Sequence, residues 1–279
     1  MKILLVIIFA FTLTFTLAQS PWVAEKGKGY AQIGYTTIGP YKDLFLSNGG
    51  SYSLNNEVTD QTIQVYSEYG IGSGTSIIAS IPLKILKSGQ SQIPSTPITA
   101  GSGDLTTLGN IQLAARHNFF NNKIFFSGQL LAELPTAGYD NATGLRGGLD
   151  ALSIVPSLSV GFSKAKLYGY ISTGMAIRTN NYSNEWRLSE EIGYQLVKRV
   201  YIIAVIDIVQ NFENGTAVES PTQLGTGLYL NNQSYFAYGL KGIIGFTDDI
   251  GITGAYYSAG SGHLVAKSPS INFGVYYKW

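Results

Sequence analysis

The 279-residue chain has 13% charged residues, about half the share of an average soluble domain, with 33 glycines and 19 tyrosines. It has no cysteine, which excludes disulfide frameworks and cysteine-metal sites. A formal net charge of +1 argues against nucleic acid as a partner, because phosphate binding needs a basic surplus or patch.

Lys2 precedes an unbroken apolar or hydroxyl run from Ile3 to Leu17, and Thr16-Leu17-Ala18 supplies small residues for cleavage. This is the layout of a secretory signal over residues 1–18. The run is shorter than the roughly 20 residues of a membrane-spanning helix. Cleavage after Ala18 leaves Gln19 as the new terminus and balances 17 basic against 17 acidic residues. Residues 19–27, with Pro21 and Trp22, are a lead-in expected on the periplasmic side. The longest later apolar stretch, Val200 to Val209, is interrupted by Asp207, so helical spans are excluded and strands are not.

Residues 28–279 form one domain of twelve strand-like segments: 28–38, 60–70, 75–83, 105–118, 123–134, 150–163, 166–178, 184–196, 200–211, 233–246, 250–258 and 268–279. Each matches or slightly exceeds the ~9–11 residues of a tilted membrane strand. Even-to-odd links are short and rich in Gly, Asn, Asp and Lys, as tight turns require. Odd-to-even links are mostly long: 39–59, 84–104, 135–149, 212–232 and 259–267, with Asn180 to Ser183 the exception. Within the fifth of these, Leu224 to Leu230 is expected to form an extension or an extra hairpin. A soluble sandwich has no reason to sort its loops by length. The pattern predicts an all-β, transmembrane antiparallel up-and-down β-barrel of about twelve strands, with short periplasmic turns and long extracellular loops. Its location is then the outer membrane of a Gram-negative (diderm) bacterium.

The faces agree. Leu152, Ile154, Pro156, Leu158, Val160 and Phe162 alternate with mostly small or hydroxyl residues, and Ile111, Leu113 and Ala115 oppose Asn110, Gln112 and Arg116. Aromatics are expected in two bands where rings meet headgroups. Tyr69, Phe119, Phe120, Tyr194, Tyr201, Phe246 and Trp279 lie by the short turns; Tyr35, Tyr182, Trp186, Phe212, Tyr235, Tyr256 and Tyr257 lie by the long loops. Pro156 cannot donate to a ladder, which predicts a bulge or bend there. Glu190 shares the apolar face of Trp186, Leu188, Ile192 and Tyr194, so a bulge at Ser189-Glu190-Glu191 is expected to turn both acids inward.

The polar face places Glu68, Arg116, Glu133, Arg187, Glu191, Asp207 and Lys241 along the lumen. They read as a pore lining or solute site, or as salt bridges that satisfy one another across a narrow bore. Twelve strands lie between a filled eight-stranded interior and an open channel of sixteen. Catalysis needs a nucleophile, base and orienter in reach. The two histidines, His117 beside a short turn and His263 in the last long loop, have no such company in the sequence. No catalytic, metal or cofactor residue is assigned, and no cofactor is expected. Gly101-Ser102-Gly103-Asp104 and Asp248-Asp249 read as turn chemistry.

Four segments recur in order along most of the mature chain: Glu25-Lys26-Gly27-Lys28-Gly29-Tyr30, Glu68-Tyr69-Gly70-Ile71, Leu108-Gly109-Asn110-Ile111-Gln112-Leu113 and Leu134-Pro135-Thr136-Ala137-Gly138. With them the chain resembles the barrel family of the meta-pathway of phenol degradation, which is distantly similar to hydrophobic-compound transporters of the fatty-acid type. That family's pattern has Gly-Asp where this chain has Gly109-Asn110. The resemblance implies an outer-membrane barrel that takes up small apolar or aromatic compounds. Phe273, Val275, Tyr277 and Trp279, two apart at the end of the chain, resemble the C-terminal signal strand read by the barrel-assembly machinery. The expected partners are outer-membrane lipid, that machinery during biogenesis, and a small solute, with a monomer favoured. The expected function is passage or binding of small hydrophobic or aromatic solutes. The alternatives are an accessory barrel of a larger outer-membrane complex and, behind it, a lipid-modifying enzyme.

Overall fold

The computed structural model describes residues 20–89 and 101–279; the expected signal and Gln19 lie outside them. Alternating side chains give each segment two unlike faces, and a slip of one residue would exchange them, so register is strongly specified. The strands are β1 (Gly29–Phe45), β2 (Ser51–Gly72), β3 (Thr75–Ser88), β4 (Gly103–Leu108), β5 (Ile111–Asn121), β6 (Ile124–Leu134), β7 (Ser153–Lys164), β8 (Leu167–Arg178), β9 (Glu185–Val197), β10 (Val200–Asn211), β11 (Ser234–Gly245), β12 (Ile250–His263) and β13 (Ser270–Lys278). Every neighbouring pair is antiparallel, and β1 pairs with β13 to close the sheet on itself. Two of the strands share a place: β4 and β5 lie end to end along β3, with Leu83 opposite Leu108 and Ser80 opposite Gln112. They part at Gly109, whose N–H still donates to the Pro82 carbonyl at 2.8 Å. The result is the closed twelve-position barrel that the loop sorting predicts. Closure removes the sheet edges that lipid cannot hydrate.

Connections at one end have two to four residues; at the other they run from five to 22. Four strands are longer than expected, among them β12, which continues past residue 258 to His263. The 39–59 link is largely hairpin, because β1 and β2 continue to Phe45 and from Ser51. Register shifts between Ile38 and Asp43 accompany this extension. Gly39, at φ +94°, occupies the shift, and a Cβ there would lie 2.7 Å from the Val58 carbonyl. Beyond it Tyr41 and Leu44 are buried, so the raised hairpin forms one rim of the loop end. β3 likewise extends to Ser88.

The outer face is apolar along the whole wall. Phe273 is 61% exposed and Leu240 59%, with Ile33, Leu113, Leu158 and Val275 also open. The inner face carries the charges. This reverses a soluble core and matches the expected inside-out barrel. Neither expected bulge forms. The β7–β8 register is the same on both sides of Pro156, and only the pairs at Val155 and Pro156 are missing, since proline has no N–H to give. β9 stays in register through Glu190, which faces Ile171 on β8 and Ile206 on β10. Its side chain therefore stays on the outer face. Three of the band aromatics also point inward: Tyr201 packs on an inner cluster, and Tyr235 and Tyr257 line the cavity described below.

Two substitutions test the inverted faces by urea unfolding from lipid vesicles. Leu158→Arg is expected to cost about 2–4 kcal/mol and Glu190→Leu to stabilise the barrel. A neutral Leu158→Arg would mean that this face meets water.

Candidate functional site

The turn end of the lumen is filled by the chain's own N-terminal segment, residues 20–26. Trp22 is buried edge-on against Tyr168 and Tyr170 of β8, with ring centroids 5.6 and 5.5 Å away. Gly70 permits the close approach: a Cβ there would lie 2.1 Å from the Glu25 carbonyl. Arg116, 1% exposed, latches the segment. Its guanidinium donates to Ser20 Oγ (3.0 Å) and to the Trp22 carbonyl (2.7 Å), and Asn118 Nδ2 donates to the Pro21 carbonyl (2.8 Å). Arg116 also pairs with Glu68 at 3.4 Å and donates to Gln129 Oε1. Tyr30, Tyr66 and Tyr276 join the same cluster.

The loop end is roofed by two inward-folded connections. One contains α1 (Pro221–Leu224), capped by Ser220. Leu228 and Leu230 beyond it are buried, so the stretch from Leu224 to Leu230 turns into the barrel mouth and is neither an extension nor an extra hairpin. Leu228 joins Leu145 of the other connection, and both pack on Tyr41, Leu44, Leu54, Val58 and Leu86. Each such leucine contributes about 1.5–3 kcal/mol by burial. The Tyr41 hydroxyl donates to the Thr226 carbonyl at 2.9 Å, and Thr226 Oγ1 donates to the Gly144 carbonyl at 3.1 Å.

Ion pairs line the wall between floor and roof. Lys84 donates to both Asp60 oxygens, at 2.7 and 2.8 Å, and to Thr62 Oγ1 at 2.9 Å. Its ammonium lies 5.3 Å from the Tyr229 ring centroid. Glu185 Oε1 takes Arg178 at 2.7 Å and Arg187 at 2.6 Å. Lys241 and Glu191 are 3.5 Å apart. Between floor and roof lies a cavity of about 550 Å³, lined by Asp60, Lys84, Glu133, Arg187 and Asp207 and by Tyr229, Tyr235 and Tyr257. Amides enter it too, from Gln64, Asn110, Gln112, Gln233 and Asn272.

Of the seven residues that the polar face places along the lumen, Glu133, Arg187 and Asp207 line the cavity. Glu68, Arg116, Glu191 and Lys241 are buried in ion pairs, the first two beside the N-terminal segment. Asp60, Lys84, Arg178 and Glu185 escaped sequence reasoning. Asp60 shares the parity of Glu68 on one strand, and Glu185 that of Arg187, so alternation alone would have found both. Lys84 was hidden because β3 was expected to stop at residue 83. The two histidines stand outside the lumen: His117 Nδ1 is 2.9 Å from Thr75 Oγ1, and His263 Nδ1 is 2.8 Å from Ser47 Oγ. Among the described residues no carboxylate bonds either ring, so neither contact forms a nucleophile–base–orienter set. Phe273, Val275, Tyr277 and Trp279 are exposed on the outer face, the last two rings stacked at 6.0 Å.

No family model matches the chain, and no curated protein does. Solved structures do. The COG4313 outer membrane channel from Pseudomonas putida F1 is similar with a TM-score of 0.72 at 10% identity, over 92% of this chain and 98% of that one. A KdgM porin in complex with disordered oligogalacturonate gives 0.51 at 8% identity, over 88% and 98%. A NanC porin gives 0.51 at 9%, over 89% and 98%. At these identities the likeness is one of fold. The class it defines is the outer-membrane β-barrel of Gram-negative bacteria, in the architecture used by channels and porins.

Arg116→Ala tests the latch. It leaves Glu68 buried without its partner, which is expected to cost about 3–5 kcal/mol. In vesicles the variant should also become sensitive to protease between residues 20 and 27. A segment that stays protected would show that Arg116 does not hold it.

Proposed function

We propose that this barrel passes small solutes across the outer membrane, and that its solutes have an aromatic or otherwise apolar body with polar substituents. The observation that carries the reading is the cavity. Its volume suits a molecule the size of a substituted aromatic or a phenyl glycoside. Ligand sites are typically concave, apolar in bulk and set with a few polar groups. Here Tyr229, Tyr235, Tyr257, Ile38 and Leu228 supply surface, and Gln64, Asn110, Gln112 and Asn272 supply donors and acceptors.

The fold supports passage, since the similar structures are channels and porins. The aromatic preference agrees with the resemblance to the phenol-degradation barrel family. In this reading the turn end faces the periplasm, the 20–26 segment is the inner closure, and the α1 connection is the outer one. Solute exit then requires the segment to move. Outer-face Phe273, Val275, Tyr277 and Trp279 serve insertion by the assembly machinery.

Proteoliposome swelling in phenyl glucoside, a neutral solute that bilayers retain, tests the reading. Swelling faster than in protein-free vesicles is expected, with a further increase when residues 20–26 are deleted. A rate equal to that of empty vesicles would contradict it.

A further inference from the structure

The links at the two ends of the barrel carry opposite charge. At the turn end, the two-residue links of β5–β6, β7–β8 and β9–β10 hold Lys123, Lys166 and the pair Lys198-Arg199, and β7 ends on Lys164. At the loop end, the connections hold Asp140, Asp150, Glu213 and Glu219 against Arg146 and Lys267. The three basic hairpins are neighbours in the sheet, so their lysines form an arc over six adjacent strands. Lys123, Lys164, Lys166 and Lys198 are exposed, and among the described residues none of them pairs with a carboxylate. The acids of the next turn are engaged elsewhere. Asp248 takes Arg199 at 2.7 Å, so the charge of Lys198 reaches it only at longer range. Asp249 stands beside Lys278, whose backbone N–H donates to its carbonyl at 2.8 Å.

The arc continues the apolar outer wall. Phe119, Phe120, Phe162, Leu196 and Val197 are exposed at the turn ends of the same strands. Lys164 stands two residues beyond Phe162, and Lys198 two beyond Leu196. Links of two residues cannot carry the lysines far from the wall, so their ammonium groups stand at the depth where rings meet headgroups. A lysine stem lies along apolar surface while its charge stays in the polar layer. One phospholipid molecule can therefore meet both surfaces, with acyl chains on the wall and phosphate on the lysines. Clustered lysines at a bilayer surface attract anionic lipid, and the attraction grows with each lysine in the cluster.

We infer that the arc of Lys123, Lys164, Lys166 and Lys198 is a binding surface for anionic phospholipid of the phosphatidylglycerol kind, in the leaflet at the turn end. Charge complementarity and continuity with the lipid-facing wall both select this occupant. The acidic connections of the loop end disfavour the same headgroups, so the protein distinguishes the two leaflets by charge. The inference depends on the wall meeting lipid and is independent of solute passage.

Electron paramagnetic resonance of spin-labelled lipids around the reconstituted barrel tests it. Labelled phosphatidylglycerol is expected to associate with the protein at least about threefold more strongly than labelled phosphatidylcholine. Lys123→Gln, Lys164→Gln, Lys166→Gln and Lys198→Gln together should bring the two lipids close to parity, whereas Lys42→Gln with Lys267→Gln at the loop end should leave the preference unchanged. Salt at about 1 M shortens the Debye length to roughly 3 Å and should weaken the preference in the unsubstituted protein, which decides the matter should the fourfold variant fail to insert. Equal association of the two lipids, or a preference that survives the fourfold substitution or the salt, would overturn the inference and leave the arc to water or to an acidic protein.

Discussion

The structure depends on one constraint, that a strand wall in lipid must satisfy every backbone group within itself. Closure through the β1–β13 ladder meets it, and the rest follows from that closure. Once the wall is a ring, its faces meet lipid on one side and a bore on the other. Apolar residues at alternate positions then have to point outward. Away from the strand ends, where Glu57, Lys87, Asp104 and Lys164 stand exposed, the charges of the strands are confined to a narrow interior, where solvation is poor and each charge needs company. Glu190 is the exception that stays outside, because the β8 and β10 ladders hold β9 in register on both sides. Two continuous ladders outweigh the cost of one carboxylate on that face.

The crowded interior also explains why the lumen is divided. A ring of this size lies between the eight strands whose side chains fill the interior and the sixteen or more that leave an open aqueous channel. The chain fills it from both ends with its own connections. At the turn end, Trp22 finds aromatic surface and Arg116 supplies the backbone of the segment with donors. At the loop end, leucines of two connections pack against the raised β1–β2 hairpin. What remains between them is a pocket with ion pairs on its wall. A site of this kind arises from the need to neutralise buried charge.

Much of this is legible in the amino acids, for physical reasons that also mark where legibility stops. Strand number, turn placement and outward-facing residues follow from a period of two and from Gly- and Asn-rich links, both local signals. The split of one strand at Gly109-Asn110 left the count intact because β3 pairs with both halves. Strand ends were less legible. The 39–59 stretch contains Gly39, Pro40, Gly49 and Gly50, which read as loop, whereas pairing across the hairpin outweighs local preference there. Bulges were expected from single awkward residues, but a ladder tolerates a missing donor more cheaply than a shift of every neighbour. The burial of Trp22 and the inward fold of Leu228 have no local signal at all. Both depend on distant surfaces that exist only once the barrel is closed. The charges at Asp60 and Glu185, in contrast, stand at the right parity and were within reach of alternation.

The most direct test of the inverted barrel uses its three tryptophans, one of which is enclosed and two of which lie on the outer wall. Single-tryptophan variants reconstituted with brominated lipid report contact with acyl chains through fluorescence quenching. The structure predicts strong quenching of Trp186 and Trp279 and little of Trp22. Equal quenching of all three, or none of Trp186 and Trp279, would contradict a wall that turns its apolar face to lipid and encloses its charges.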